Sequence, residues 1–304
     1  DADGNGAADT TTVGSGLCSN VNLSDIKPLW EAGARLAYLD PGTNCTAALA
    51  GSSCRRILTW TDTNYDKVVG SGEVIEFTDA NKATLCPYLG GTLVANCINT
   101  VVPTNQTAAQ DQASNLIRFH RGEDGVPLGL RDRSSKVLNP DNLSDTVGAQ
   151  KVWKYGDIVD STPTVVGSPK ERYDTIYGDA TYTTYFKQYK TRRQVAYAGA
   201  NDGMLHAFNA GFFTEGDDST TTPVEHGYFT TTQPSTTSPQ VSSYTTVRSS
   251  TPKLGAELWA FIPQELLPHL KWYADKNYTH VAYVDLKPKV TDVRVFCGDS
   301  AAAP

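Results

Sequence analysis

The sequence holds a single methionine, and lysine and glutamate are sparse beside its threonine, serine, tyrosine, glycine and asparagine. That usage suits the surface of an exported, β-rich protein better than a cytosolic enzyme. No run of 18 apolar residues exists, so no helical membrane span is expected. Positive charge is short as well: 26 Lys and Arg face 33 Asp and Glu, the net charge is −7, and no basic stripe gathers the cations. Nucleic-acid binding through phosphates is therefore not expected. No signal peptide opens at Asp1, so we expect either a processed start or a piece of something longer.

The common catalytic signatures are missing too. Gly-x-Ser-x-Gly, a P-loop, Gly-x-Gly-x-x-Gly and His-Glu-x-x-His do not occur. Cys-x-x-Cys and Cys-x-x-Cys-His are absent, which disfavours thioredoxin-like chemistry, a zinc ribbon and c-type haem. His120, His226, His269 and His280 are scattered, and His206 lies in an apolar strand as an expected structural histidine. We assign no catalytic residue and expect a non-enzymatic protein.

What is present begins with six cysteines. Cys45 with Cys54, and Cys86 with Cys97, would each close a small loop by a local disulfide in an oxidising compartment. Cys18 and Cys297 are left either to bridge the two ends or to pair elsewhere. The segment Asp1-Ala2-Asp3-Gly4-Asn5-Gly6-Ala7-Ala8-Asp9 is the candidate metal loop. Asp1, Asp3, Asn5 and Asp9 carry oxygens at calcium-loop positions, Ala7 would offer its carbonyl, and Gly6 allows the turn. Thr12 stands where the closing Glu is needed, so an outside carboxylate must complete the Ca2+ shell.

The organisation expected is mixed α+β and β-rich. Residues 1–22 form the Asp/Gly-rich loop and linker. Residues 23–150 form an α/β segment, with an amphipathic helix over 23–39 capped near Ser24-Asp25 and carrying Pro28 in its first turn. Strands at Arg56–Trp60 and Glu73–Phe77 follow. A helix over 106–121 buries Leu116, Ile117 and Phe119 and stops at Gly122. Residues 122–150 read as a polar loop. From 151 to 304 the pattern becomes short strands and turns: Gln194–Gly199, Met204–Phe208, Glu257–Ile262 and His280–Val284. A short helix is expected over 264–275, and 211–254, with 19 Ser and Thr, reads as a surface insertion. Asn201-Asp202-Gly203 supplies a tight turn between two strands, and the Trp259 strand then completes the pattern of one propeller blade. Asp157 and Asp160 are expected to cap turns. One blade does not bury its own faces, so these are the opening blade or blades of an incomplete β-propeller. Further residues or another chain would complete it.

Three phrases carry a resemblance. Gly156-Asp157-Ile158-Val159-Asp160-Ser161-Thr162-Pro163, Tyr197–Phe208 and Glu257-Leu258-Trp259-Ala260-Phe261-Ile262-Pro263 resemble the PilY1/PilC family of type IV pilus tip and biogenesis proteins. Trp30-Glu31-Ala32-Gly33 and the Arg121–Arg133 loop are similar to the segment before that family's propeller. The resemblance implies an extracellular or outer-surface protein at the pilus tip, with minor pilins or the tip complex as partners. It implies roles in pilus assembly, retraction control and surface adhesion. The family's own calcium loop would lie beyond this chain. Arg121-Gly122-Glu123-Asp124 approaches Arg-Gly-Asp, but Glu123 breaks it and we assign it no adhesion role. Two alternatives stand beside this reading. The Ala200–Ala210 phrase also resembles the tryptophan-docking repeat of quinoprotein dehydrogenases, which need it many times. A surface adhesin unrelated to pili is the other.

Overall fold

The computed structural model describes residues 28–41, 54–90, 96–97, 103–142, 144–214, 228–232 and 251–293. The candidate loop Asp1, Asp3, Asn5, Ala7 and Asp9 lies outside the described residues, as do Cys18, Cys45, Cys297 and most of the 211–254 insertion.

The first described helix, α1 (Ala32–Tyr38), is shorter than the apolar spacing over 23–39 predicts. Pro28 to Glu31 are not helical, and the cap of α1 is Glu31; Ser24-Asp25 lie outside the described residues. The Glu31 carboxylate accepts from the amides of Gly33 at 2.9 Å and Ala34 at 2.5 Å. Those are donors of the first turn that have no intrahelical acceptor, and satisfying them fixes the start. Glu31→Ala should lower the unfolding free energy by about 1 kcal/mol, read from the urea midpoint.

Strands β1 (Ile57–Trp60) and β2 (Val74–Glu76) pair antiparallel near the expected bounds. The one-turn helix α2 (Lys82–Leu85) follows, then α3 (Pro103–Arg121). Leu116, Ile117 and Phe119 of α3 are buried as expected, and the helix ends where Gly122 takes φ +112°. The stretch expected to be a plain polar loop contains a hairpin, β3 (Ser134–Val137) with β4 (Ala149–Val152). Its residues are mostly polar and exposed, so no apolar alternation marks it. The backbone ladder, extended by Trp153 N–H donating to Arg133 C=O at 2.9 Å, holds it together, and Tyr38 ties it to α1 through its hydroxyl on Val137 C=O at 3.0 Å and its ring 4.5 Å from Lys151 Nζ.

Beyond it come β5 (Thr164–Val166), the short helix α4 (Tyr173–Ile176) and the longer α5 (Ala180–Tyr189). Strands β6 (Gln194–Ala200), β7 (Met204–Thr214), β8 (Tyr228–Thr230) and β9 (Glu257–Ile262) follow. A 3-10 segment over Gln264–His269 leads into α6 (Leu270–Tyr273). The strand expected at His280–Val284 does not form. Amides there bond to side chains instead: Val281 N–H to Tyr278 Oη at 3.3 Å and Tyr283 N–H to Asn201 Oδ1 at 3.0 Å.

The main sheet runs β2-β1-β9-β7-β6-β5, with β8 paired to the far end of β7. Every pairing is antiparallel except β1 against β9, where Ile57 faces Ala260. One sheet thus takes strands from both sides of residue 150. Among the described residues it is open, with β2 and β5 at its edges. Its packed face meets α3 and the 264–274 segment through Ile57, Phe77, Ile117, Phe119, Ile262 and Leu267, all fully buried. The Cys86–Cys97 disulfide clamps the approach to α3, as expected from their spacing. Cys54 is disulfide-bonded as well.

Candidate functional site

The turn at Asn201-Asp202-Gly203 forms as expected, with Gly203 at φ +85° and its amide donating to Ala200 C=O at 3.2 Å. Its acid, however, turns inward. Asp202 accepts from the amides of Gly156 at 3.1 Å and Met204 at 3.2 Å. Both of its oxygens also lie 3.1 Å from His206 Nε2. On the other side of the ring, His206 Nδ1 lies 2.7 Å from Glu257 Oε1. Arg55, just before β1, completes the chain: Nε donates to Glu257 Oε2 at 2.8 Å and Nη2 to Oε1 at 3.0 Å. Its Nη1 donates to the His120 carbonyl at 2.7 Å. None of the four side chains is more than 1% exposed.

Two cations and two anions alternate here, so the cluster is neutral only when His206 is an imidazolium. Burial alone would lower the His206 pKa, but Asp202 and Glu257 together outweigh it and raise it to about 9. Burial likewise works to raise the Glu257 carboxyl, and Arg55 and His206 overcome it, bringing it to about 2. Asp202 is held below the usual carboxylate range for the same reason. With both ring nitrogens donating, His206 has no lone pair to act as a base, and no water reaches it. This cluster is an ion-pair weld between the segment before β1 and the β7–β9 pair of the sheet. His206 was expected as a satisfied structural histidine, and these contacts are what satisfies it. Arg55 and Glu257 went unnoticed; the signal was a charged residue at the start of a largely apolar strand, Arg55 just before β1 and Glu257 opening β9.

Gly156 explains the opening of its phrase. A Cβ there would stand 2.4 Å from the Asp202 amide nitrogen, so no side chain fits. The next residue, Asp157, does more than cap a turn. Its carbonyl accepts from Asn201 N–H at 3.1 Å, while its carboxylate lies 2.7 Å from His280 Nε2 and 3.2 Å from Asn201 Nδ2. Burial works against ionisation of Asp157, yet the His280 and Asn201 contacts prevail and lower its pKa. Asp157 and His280 are half-exposed and Asn201 is buried, and together they pin the 280–284 crossing to the turn. Asp160 is exposed. Arg121, from the near Arg-Gly-Asp phrase, is buried and donates to the carbonyls of Phe77, Pro41 and Arg55, in keeping with no adhesion role.

A second stretch with calcium-loop spacing escaped the sequence reading. Asp62, Asn64, Asp66 and Glu73 stand at positions 1, 3, 5 and 12 of such a loop. Lys67 occupies the position usually given to glycine and takes φ +61°. In the structure the loop's carboxylates are engaged by its own amides. Asp62 accepts from Asp66 N–H at 3.1 Å and Lys67 N–H at 3.0 Å, and Glu73 from Gly70 N–H at 2.6 Å and Thr63 N–H at 3.0 Å. Among the described residues, no group of three or more His, Cys, Asp or Glu side chains converges as a metal cluster. The shallow pocket lined by Asp202, Gly203, Leu266, His269, Leu270, Tyr273 and Tyr283 holds about 150 Å3, open solvent included.

Residues 155–226, from the Tyr155 phrase through β7, match the family described as PilY1 beta-propeller domain. A type IV pilus biogenesis factor PilY1 homolog of Xylella fastidiosa strain Temecula1 is 29% identical over 194 residues, covering 62% of this chain and 11% of that protein. The type IV pilus biogenesis factor PilY1 of Pseudomonas aeruginosa strain PAK is 30% identical over 155 residues, covering 49% of this chain and 12% of that protein. The matched chain thus spans only 11–12% of the length of these curated relatives. No solved structure matches it. No helix among the described residues is long and apolar enough to cross a membrane. Two of the three phrases that resemble the PilY1/PilC family fall in the matched stretch: residues 155–226 match the PilY1 beta-propeller domain, and the chain is similar to type IV pilus biogenesis factors PilY1 over part of its length.

Proposed function

We propose that this chain serves type IV pilus biogenesis as a non-catalytic assembly module, acting at the pilus tip on the outer cell surface. The observation that carries the reading is the match of residues 155–226 to the PilY1 propeller domain, in a sheet whose edge strands β2 and β5 are open among the described residues. Edge strands left unpaired invite further strands, so the sheet is the opening part of a propeller completed by more residues or by another chain. Minor pilins or the tip complex are the partners, and retraction control and adhesion are the roles.

The test uses the whole gene in its host. Deleting the codons for residues 151–304 should cut sheared surface pilin at least tenfold while cellular pilin stays constant. Normal piliation would overturn the reading and favour an adhesin unrelated to pili. If blocking retraction restores the pili, the role is to oppose retraction; if not, it is assembly itself. A quinone absorbance in the purified protein would instead favour the dehydrogenase alternative.

Calcium belongs to this proposal through Asp1, Asp3, Asn5, Ala7 and Asp9. Calcium should raise the melting temperature, and Asp3→Ala should abolish that rise. A rise kept in Asp3→Ala but lost in Glu73→Gln would move the metal to the Asp62–Glu73 loop.

A further inference from the structure

We propose that Asn277 is an acceptor for an N-linked glycan. Five Asn-x-Ser/Thr triplets occur, at Asn22, Asn44, Asn105, Asn142 and Asn277. Asn277 alone has an acid two residues before it, in Asp275-Lys276-Asn277-Tyr278-Thr279. An acid at that position lets a cationic pocket on the transferring enzyme grip the acceptor, a demand that bacterial oligosaccharyltransferases add to the three-residue pattern. The relatives of this chain are bacterial.

The fold presents this segment and buries its neighbours. Asp275, Lys276, Asn277 and Thr279 are exposed in the turn that follows α6. Tyr278 N–H donates to Asp275 C=O at 3.1 Å, and Asn277 N–H to Asp275 Oδ1 at 2.8 Å, which sets Asn277 at the tip. Among the described residues nothing bonds to the Asn277 carboxamide. Tyr278 anchors the base of the turn, its ring 4.2 Å from the Arg131 guanidinium and 5.3 Å from the Tyr273 ring. Asn105 offers a contrast. It lies in the first turn of α3, where Thr107 Oγ1 donates to Pro103 C=O at 3.0 Å, so the hydroxyl of its triplet is engaged by the helix, and it lacks the acid two residues before it.

The donor is an oligosaccharide linked to a lipid through pyrophosphate. The Asn277 amide nitrogen bonds to the anomeric carbon, the bond from that carbon to the pyrophosphate oxygen breaks, and the lipid pyrophosphate leaves with the electron pair. The amide proton passes to a base of the transferase. The inference rests on the export reading above, since the acceptor must meet the enzyme outside the cytoplasm.

The experiment incubates the folded chain with a purified bacterial oligosaccharyltransferase and a lipid-pyrophosphate heptasaccharide, with a synthetic 273–281 peptide as the enzyme control. We expect one glycan per chain, located at Asn277 by peptide mass, and lost in both Asn277→Gln and Asp275→Asn. Modification of the peptide but not of the folded chain overturns the proposal, as does a glycan that survives Asp275→Asn. Protein recovered from the host's periplasm or surface must carry the same mass increment, and bare Asn277 there overturns the proposal as well. Recovery from the cytoplasm alone would defeat the export reading instead, leaving the transfer assay to decide the acceptor.

Discussion

Arg55→Met should destabilise the protein by about 3–5 kcal/mol, because it leaves Glu257 charged, buried and short of its bidentate partner. Both side chains are fully buried, so water does not replace the guanidinium. The variant also strands the His120 carbonyl, which Arg55 caps at 2.7 Å. Chemical denaturation of the two proteins reads the loss directly. Pairing the change with Glu257→Gln should recover part of it, since the surviving His206–Asp202 pair is then neutral by itself. A double variant as unstable as the sum of the two singles would mean that the residues do not act as a unit. A loss below about 1 kcal/mol in Arg55→Met would mean that the weld contributes little.

The second large effect is on pH dependence. The His206 pKa is raised from 6.5 to about 9, so the folded state holds its proton more tightly than the unfolded chain does. That contribution is complete below pH 6.5 and is lost as pH rises through about 9, on the order of 3 kcal/mol in all. Glu257 acts in the opposite sense: its contribution is complete above pH 4.5 and is lost as pH falls through about 2. Both are whole only between those limits. Two neighbours blur the total. Burial, aided by Arg55 and Arg133, lowers Lys154 to about 7, and burial, aided by Arg133, lowers His120 to about 3. The profile is therefore read as a difference between the protein and His206→Asn. That difference should shrink from pH 6.5 to pH 9, and the His206 ring should stay protonated by NMR at pH 8. A ring that titrates near 6.5 would remove the imidazolium from the weld.

Much of the C-terminal part of the sheet was legible because its strands are written in β-prone residues and punctuated by turn chemistry. Val195-Ala196-Tyr197 and Asn201-Asp202-Gly203 are of this kind; β6 and β9 lie where they were expected, and β7 starts at Met204 as expected but runs past Phe208 to Thr214, into the stretch read as an insertion. Helix α5 escaped for the converse reason. Ala180–Tyr189 is rich in threonine and aromatic residues, which favour strands. Its helical state depends on Asp179 capping Thr181 N–H at 2.9 Å and on ring contacts from Tyr182 to Tyr185 and from Tyr185 to Tyr189. The β3–β4 hairpin was invisible because few of its side chains are buried. The weld was half legible: the turn and His206 were found, but Arg55 and Glu257 meet across 202 residues of sequence, a distance no local pattern spans.

The parallel pairing of β1 with β9 also dictates an order of events as the chain is made. Ile57 to Thr59 emerge first, yet their partners, Ala260 to Ile262, are among the last of the described residues to appear. Until then β1 has only β2 to lean on, and Arg55 has no counter-ion. Closing so long a loop is slow, and an apolar strand waiting with one edge unfilled is a target for wrong partners. The N-terminal half of this sheet must therefore stay unfinished through most of synthesis. A polypeptide stopped before Glu257 should be caught by chaperones and proteases, even though it already contains β1, β2 and α3.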